Sequence, residues 1–93
     1  MNLDKIDHNV NNLERLVWAC RRGMLELDLI LTKFLRECFD DLNIKQKQAF
    51  IDLLTYSDPD LISFFLKNDS PGVPELDELV FLVRRHAQSN LRN

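Results

Sequence analysis

The sequence predicts an all-α protein, a compact bundle of five short helices, on three observations. Glycine and proline are sparse, with two and three residues respectively in a chain of 93. Apolar residues recur at the three-and-four spacing of amphipathic helices, and cap or turn residues separate these segments. Because a chain of this length supports one modest core, residues 1–93 are predicted to form a single domain without internal repeats, with frayed ends at 1–8 and 91–93.

The first two helices are predicted to form a hairpin that turns at Gly23. The spacing of apolar residues assigns the first helix to residues 10–21, and Gly23 can adopt the left-handed conformation that ends a helix. The predicted buried stripe of the first helix is Val10, Leu13, Val17 and Cys20. That of the second helix is Met24, Leu27, Leu31, Phe34, Leu35 and Cys38.

Helix-start signals define the next two helices. Asn43 and Gln46 stand at the spacing of a capping box, in which each side chain bonds the backbone N–H of the other residue. The third helix is predicted to bury Ala49, Phe50, Leu53 and Leu54. The fourth helix, residues 61–67, is predicted to follow Asp58 as N-cap and Pro59 at the first helical position, and to be largely buried.

The fifth helix is predicted to open at Pro74, whose missing N–H costs nothing in a first turn. Glu75, Asp77 and Glu78 follow in that turn, where carboxylates complement the positive end of the helix. The predicted inner stripe is Leu76, Leu79, Val80, Val83 and Ala87.

Composition excludes several classes of function and location. A net charge of −3 and a pI near 5.2 argue against nucleic-acid binding, which depends on a positive field. No apolar run is long enough for a membrane span, and the first ten residues resemble neither a signal peptide nor a targeting presequence. A bacterial cytoplasm is expected, with the mitochondrial matrix as the alternative if a presequence has been removed. Cys20 and Cys38 are expected to be small buried apolar residues rather than a disulfide.

Enzymatic chemistry is not indicated, and neither a catalytic residue nor a metal site is predicted. His8 and His86 are isolated in the sequence and are expected to be surface residues. No glycine-rich loop is present to hold a phosphate. Glu26 and Asp28 are two residues apart on a helix, so their carboxylates diverge by about 200° and cannot share one substrate atom.

The segment Trp18–Asp28, called the corner below, concentrates polar chemistry at the predicted turn between the first two helices. Helix-end electrostatics explain Arg21, Arg22 and Glu26 individually. The helical wheel, however, places Trp18 well away from the buried stripe and beside Arg22, where a cation–π pair is predicted. Leu25, Glu26 and Leu29 also point away from the stripe of the second helix. These exposed apolar and charged residues predict a contact surface for a partner.

Asp28 is expected to have a different role, because it lies close to the buried edge of the second helix. A carboxylate at such a position needs hydrogen-bond donors. Asp28 is predicted to bond either to Arg21, to Arg22 or to a backbone N–H, and so to hold the shape of the corner.

The corner resembles the succinate dehydrogenase assembly factors of the SdhE type, also called flavinators. The resemblance rests on R-G-x-x-E, here Arg22 to Glu26, within the longer signature W-x-C-R-R-G-M-x-E-L-D that is complete from Trp18 to Asp28. The chain length, the five short helices and the DPDL segment at Asp58 also resemble the family. Phe64 and Phe65 stand in a helix where the family often has a tryptophan, which is a change within the core.

The resemblance implies a non-enzymatic assembly factor. Its partner would be the flavoprotein subunit of succinate dehydrogenase, and often that of fumarate reductase, and it would promote covalent attachment of FAD to a histidine of that subunit. FAD would belong to the partner, with no cofactor bound stably by this chain. The implied partner-binding residues are Arg22 and Glu26 through charge-assisted bonds, Gly23 through close backbone approach, Trp18 and Leu25 as apolar anchors, and Arg21.

A small regulatory or antitoxin-like interaction module is the alternative function. Such a module would dock a basic or nucleic-acid-bound partner. A nucleic-acid-directed version would present a continuous basic face, which is missing from the sequence.

Overall fold

Five α-helices joined by short loops make up most of residues 8–92, the part of the chain that the structure describes. The computed structural model describes the backbone of residues 8–92 and the side chains of residues 13–89. The helices are α1 (His8–Cys20), α2 (Leu25–Cys38), α3 (Ile44–Leu53), α4 (Asp58–Leu66) and α5 (Pro74–Arg92), with a 3-10 turn at Phe39–Asp41. Within the described range there is no strand, so the predicted all-α class is confirmed. None of these helices has the length and apolar character needed to cross a membrane. The predicted frayed ends fall largely outside the described residues.

The core lies where α5 packs against α2, α3 and α4, while α1 packs along α2. The predicted stripes of α2, α3 and α5 supply most of its side chains. Among the largest fully buried side chains are Leu27, Leu31, Phe50, Leu53, Leu61, Leu79 and Val83. Burying side chains of this kind contributes about 1.5 to 3 kcal/mol each, so these helices hold together mainly through apolar packing.

The two middle helices begin at side-chain caps. The capping box is confirmed, since the Gln46 N–H donates to Asn43 Oδ1 at 2.8 Å and the Asn43 N–H donates to Gln46 Oε1 at 3.0 Å. The prediction that Asp58 caps α4 is wrong, because Ser57 is the N-cap and its Oγ accepts from the Asp60 N–H at 3.3 Å. Asp58 is instead the first residue of α4, and its carboxylate is free to bond elsewhere.

The apolar stripe of α1 is less buried than predicted, whereas most of the apolar side chains of α4 are buried as predicted. Leu13 is 47% exposed, because α1 packs chiefly on α2 and its outer residues line an open groove. The side chain of Val10 lies outside the described residues. In α4, Leu61, Phe64 and Phe65 are buried as expected, while Leu66 is 39% exposed.

His86 is half-buried, contrary to the expectation of a surface residue. Its Nε2 lies 2.9 Å from Glu37 Oε1, and its ring packs edge-on against Phe34 at a centroid distance of 5.7 Å. α5 turns this side chain toward α2, so His86 helps to join the two helices. The side chain of His8 lies outside the described residues.

A short repeat marks the starts of α2 and α5, although no internal repeat was expected. Gly-x-x-Glu-Leu-Asp occurs at residues 23–28 and again at residues 72–77. Gly23 and Gly72 have φ of 81° and 83°, the left-handed region in which only glycine is unstrained. In both copies the aspartate side chain accepts a hydrogen bond from the glycine N–H. Each copy of the repeat therefore forms the same local structure at the start of a helix.

Candidate functional site

The corner connects α1 to α2 through four residues. The last turn of α1 closes with a hydrogen bond from the Arg21 N–H to the Trp18 carbonyl at 3.0 Å. The chain then reverses at Gly23, in the conformation predicted from its position. A Cβ atom built on Gly23 would meet no heavy atom within 4 Å, so the space outside this glycine is open.

Asp28 holds the corner in shape, as predicted. Its Oδ1 accepts from the Arg22 N–H at 2.7 Å, and its Oδ2 accepts from the Gly23 N–H at 3.2 Å. The donors to Asp28 are therefore backbone N–H groups rather than the side chain of Arg21 or Arg22. In the second copy of the repeat, Asp77 Oδ1 accepts only from the Gly72 N–H, because the preceding residue is Pro71 and has no N–H. The corner is thus the more tightly tied of the two helix starts.

Arg22 faces inward, so the prediction that it looks outward beside Trp18 is wrong. Its Nε donates to Asp58 Oδ1 at 2.8 Å, and only 16% of its side chain is exposed. Its remaining nitrogens donate to backbone carbonyls, those of Ala19 at 2.8 Å, Leu54 at 3.0 Å and Tyr56 at 2.8 Å. Carbonyl oxygens left free at helix ends need such donors, and Arg22 supplies them at the ends of α1 and α3.

Trp18 is exposed as predicted, but its cationic neighbour is Arg21. The indole is 73% exposed, and the Arg21 guanidinium carbon lies 6.0 Å from its ring centroid. This distance is at the outer limit of a cation–π interaction, so the pairing is weak and leaves both side chains available to a partner.

The start of α2 adds further exposed side chains to the corner. Leu25 is 77% exposed, Leu29 one turn later is 55% exposed, and Glu26 is exposed between them. Met24 was predicted to belong to the buried stripe, but it precedes the helix and is 37% exposed. We define the corner surface as the exposed residues Trp18, Arg21, Gly23, Leu25 and Glu26.

An open groove of about 600 Å³ runs between α1 and α2 and adjoins the corner surface at Trp18. Leu13, Val17 and Leu35 give it an apolar wall. Among the residues whose side chains the structure describes, its charged lining is Glu14, Arg36 and Asp40, two carboxylates and one cation. This set of charges is unsuited to the diphosphate of a dinucleotide, which binds where positive groups and backbone N–H donors converge.

Cys20, the last residue of α1, is fully buried, while Cys38 is half-buried. Both thiols are free. Burial raises the pKa of the Cys20 thiol from 9.0 to about 12, against the opposing effect of the nearby Arg22 charge. The expectation of a small buried residue is confirmed for Cys20, and Cys38 is less buried than expected.

Cys20 should therefore resist thiol reagents in the folded domain. A thiol reacts as its thiolate, and almost none is present at pH 8 when the pKa is about 12. In a Cys38→Ser variant, Ellman's reagent should label Cys20 only after urea is added. Rapid labelling in native buffer would contradict this prediction. Because folding raises this pKa, the thiol's contribution to stability is complete below pH 9.0 and is lost as the pH rises toward about 12.

Comparison with known proteins decides the family. A family model described as flavinator of succinate dehydrogenase matches residues 14–87, which include the whole corner. The chain belongs to this flavinator family. The FAD assembly factor SdhE of Photobacterium profundum is 44% identical over 78 residues, 84% of this chain and 89% of its own length. The FAD assembly factor SdhE of Legionella pneumophila is 47% identical over 70 residues, 75% of this chain and 87% of its own.

The family resemblance proposed from the corner is thus confirmed, and the structure changes how this flavinator's motif residues are understood. Gly23, Glu26, Trp18 and Leu25 are exposed where a partner could reach them, whereas Arg22 is turned into the fold. Asp58 belongs to the site as well, although it was not predicted there. The DPDL segment marks Asp58 as a helix-start residue, but such a carboxylate gives no sign of a bond to a residue 36 positions away.

Proposed function

We propose that this chain is a non-enzymatic assembly factor that binds the flavoprotein subunit of succinate dehydrogenase. Binding would promote the covalent attachment of FAD to a histidine of that subunit. The observation that carries the proposal is the corner surface, which lies inside the segment matched by the flavinator family model. It presents two large exposed apolar side chains, Trp18 and Leu25, beside an exposed cation and an exposed carboxylate.

Each part of the corner surface has a definite chemical use in docking. Trp18 and Leu25 supply apolar anchors of the kind that contribute most binding energy when a partner covers them. Glu26 can accept charge-assisted bonds from an arginine or lysine of the partner, and Arg21 can donate them to a carboxylate. Gly23 leaves space for the partner's backbone to approach the turn.

The chain is proposed to act by orientation rather than by supplying a reacting group. Covalent attachment joins the flavin to a histidine, and both belong to the flavoprotein. A rigid docking surface that holds the partner's flavin-binding region in a reactive arrangement can lower the barrier by several kcal/mol through positioning alone. The acidic lining of the groove between α1 and α2 supports leaving FAD with the partner rather than with this chain.

The flavoprotein subunit of fumarate reductase is proposed as a second partner. A flavoprotein with a related flavin-binding region would present the same kind of surface to the corner. We also propose that the interaction takes place in a bacterial cytoplasm, which is supported by the bacterial sources of the similar proteins.

Co-expression tests the proposal directly. The chain would be produced with a succinate dehydrogenase flavoprotein subunit in cells that lack their own flavinator, and covalent flavin would be measured as fluorescence in a denaturing gel. Flavin fluorescence on the subunit should increase several-fold when the chain is present. Equal fluorescence with and without the chain would refute the proposed function. Repeating the assay with the fumarate reductase subunit tests the second partner separately.

Glu26→Ala should weaken binding to the flavoprotein subunit by roughly 5-fold to 150-fold. Loss of one partner from a charged contact typically costs about 1 to 3 kcal/mol, and each 1.4 kcal/mol is a factor of about ten in affinity. Glu75→Ala is the matched control, because Glu75 is the exposed glutamate at the same position of the second repeat copy. Calorimetric titration of both variants checks the prediction, and equal affinities would remove Glu26 from the interface.

A further inference from the structure

Asp58 reaches the corner from the other half of the chain. Because Ser57 provides the N-cap of α4, the Asp58 carboxylate is not needed there and instead accepts from Arg22 Nε at 2.8 Å. The pair is asymmetric in burial, with 16% of the Arg22 side chain and 42% of the Asp58 side chain exposed. Arg22 is therefore enclosed by its partners, while Asp58 forms the outer side of the ion pair.

Arg22 also connects the corner to parts of the fold that are distant in sequence. Its guanidinium bonds the Ala19 carbonyl in α1 and the Leu54 and Tyr56 carbonyls after α3. Its own backbone N–H bonds Asp28 in α2. One residue thus ties the ends of α1 and α3 and the starts of α2 and α4 to a single point, directly before Gly23.

This arrangement leaves Arg22 poorly placed to bond a partner protein. Its hydrogen bonds use Nε and both terminal nitrogens of the guanidinium, and their acceptors all belong to this chain. These bonds use four of the five guanidinium N–H groups, so a partner could form a two-bond contact with Arg22 only by breaking one of them. The exposed cation at the corner is its neighbour, Arg21.

We propose that Arg22 and Asp58 are positioning residues, which fix the corner surface in the geometry that the flavoprotein recognises without touching the flavoprotein themselves. This inference rests on the proposed function and adds Asp58 to the residues on which that function depends. The Arg22–Asp58 ion pair fixes the position of the turn, and the bond from the Arg22 N–H to Asp28 links the turn to α2. Gly23, Leu25 and Glu26 are therefore held in one preorganised arrangement before the partner binds.

A second arginine provides a matched control for loss of stability alone. Arg84 in α5 donates from Nε to the Phe64 carbonyl at 2.8 Å and from Nη2 to the Asp69 carbonyl at 2.6 Å. It closes the end of α4 in the way that Arg22 closes the ends of α1 and α3. Among the side chains of residues 13–89, the hydrogen bonds of Arg84 go to Phe64, Asn68 and Asp69 and not to the corner. Its loss should therefore weaken the fold without changing the corner surface.

The test compares Asp58→Ala, Arg22→Lys and Arg84→Lys in the full chain. Three quantities are measured for each: the thermal midpoint of unfolding, the exchange rate of the Gly23 amide by NMR, and the affinity for the flavoprotein subunit at a temperature where all variants are folded. Asp58→Ala and Arg22→Lys should speed Gly23 exchange and weaken affinity by at least tenfold. Arg84→Lys should lower the midpoint comparably, with Gly23 exchange and affinity within twofold of the unmodified chain.

The possible results separate the proposal from the function on which it rests. If Arg22→Lys loses affinity but Asp58→Ala does not, Arg22 contacts the partner directly and the positioning role is overturned. It is also overturned if Arg84→Lys weakens binding as much as the other two, because loss of stability would then explain the effect. If Gly23→Arg and Glu26→Ala bind the subunit normally, the corner is not the docking surface, and the proposed function fails independently of Asp58.

Discussion

Gly23→Arg is expected to abolish binding of the flavoprotein subunit, and with it the gain in covalent flavin, while the free domain stays folded and helical. A Cβ at this position meets nothing within 4 Å in the free domain, so an arginine side chain fits there and projects into the space that a partner would fill. The cost to the domain itself is the left-handed backbone, about 1 to 2 kcal/mol for a residue other than glycine.

Gly72→Arg is the matched control for this expected loss. Gly72 has nearly the same φ as Gly23 and equally open surroundings, and its N–H donates to the corresponding aspartate, Asp77. It lies, however, at the start of α5. Both variants should therefore lose similar stability in thermal unfolding, and only Gly23→Arg should lose affinity in calorimetric titration. Comparable loss of binding by both variants would show that strain, rather than obstruction of the corner surface, is responsible.

Asp28→Ala should lower the free energy of unfolding by about 2 to 3 kcal/mol, because the Arg22 and Gly23 N–H groups would both lose their acceptor. In a domain of this size the thermal midpoint should fall by roughly 10 °C or more. Asp28→Asn should lose less, since an amide oxygen can still accept from one of the two donors. Circular dichroism during heating measures all of these changes.

The second copy of the repeat again supplies the comparison for Asp28. Asp77 accepts a single backbone bond, from the Gly72 N–H at 2.9 Å, so Asp77→Ala should cost only about 1 kcal/mol. An unchanged midpoint for Asp28→Ala would show that the corner keeps its shape without this carboxylate. Equal losses at Asp28 and Asp77 would show that the bond to the Arg22 N–H contributes nothing.

The features that could be predicted from the sequence are those whose causes are local. The capping box at Asn43 and the left-handed turn at Gly23 depend on residues within a few positions of each other, and both are confirmed. The apolar stripe of α2 also predicts the burial of Leu27 and Leu31 correctly. The same reasoning fails for Leu13, because periodicity shows which face of a helix is apolar but not whether another helix covers it.

Two predictions, that Asp58 caps α4 and that Arg22 faces outward, are wrong because of one contact between residues far apart in the sequence. Ser57 and Asp58 are both good helix caps, and Pro59, which is common at the first helical position, favours Asp58 from the sequence alone. In the structure the Asp58 carboxylate accepts a hydrogen bond from Arg22, 36 residues earlier, and Ser57 provides the N-cap of α4. The same bond turns Arg22 inward and leaves Arg21 as the cation beside Trp18. The partner contacts of Trp18, Arg21, Gly23, Leu25 and Glu26 stay predictions, because they require a second protein.

The ion pair between Arg22 and Asp58 also makes completion of the corner surface depend on a contact between residues 36 positions apart in the sequence. The hairpin of α1 and α2 and the bonds from Asp28 need only neighbouring residues and can form early. The Arg22 bonds to Leu54, Tyr56 and Asp58 close a long loop, which costs more chain entropy than local contacts, so we expect these bonds to form later. A nascent chain that ends before Asp58 would contain the whole recognition motif and yet lack the finished surface. Competence to bind the flavoprotein would therefore report that the domain has folded completely.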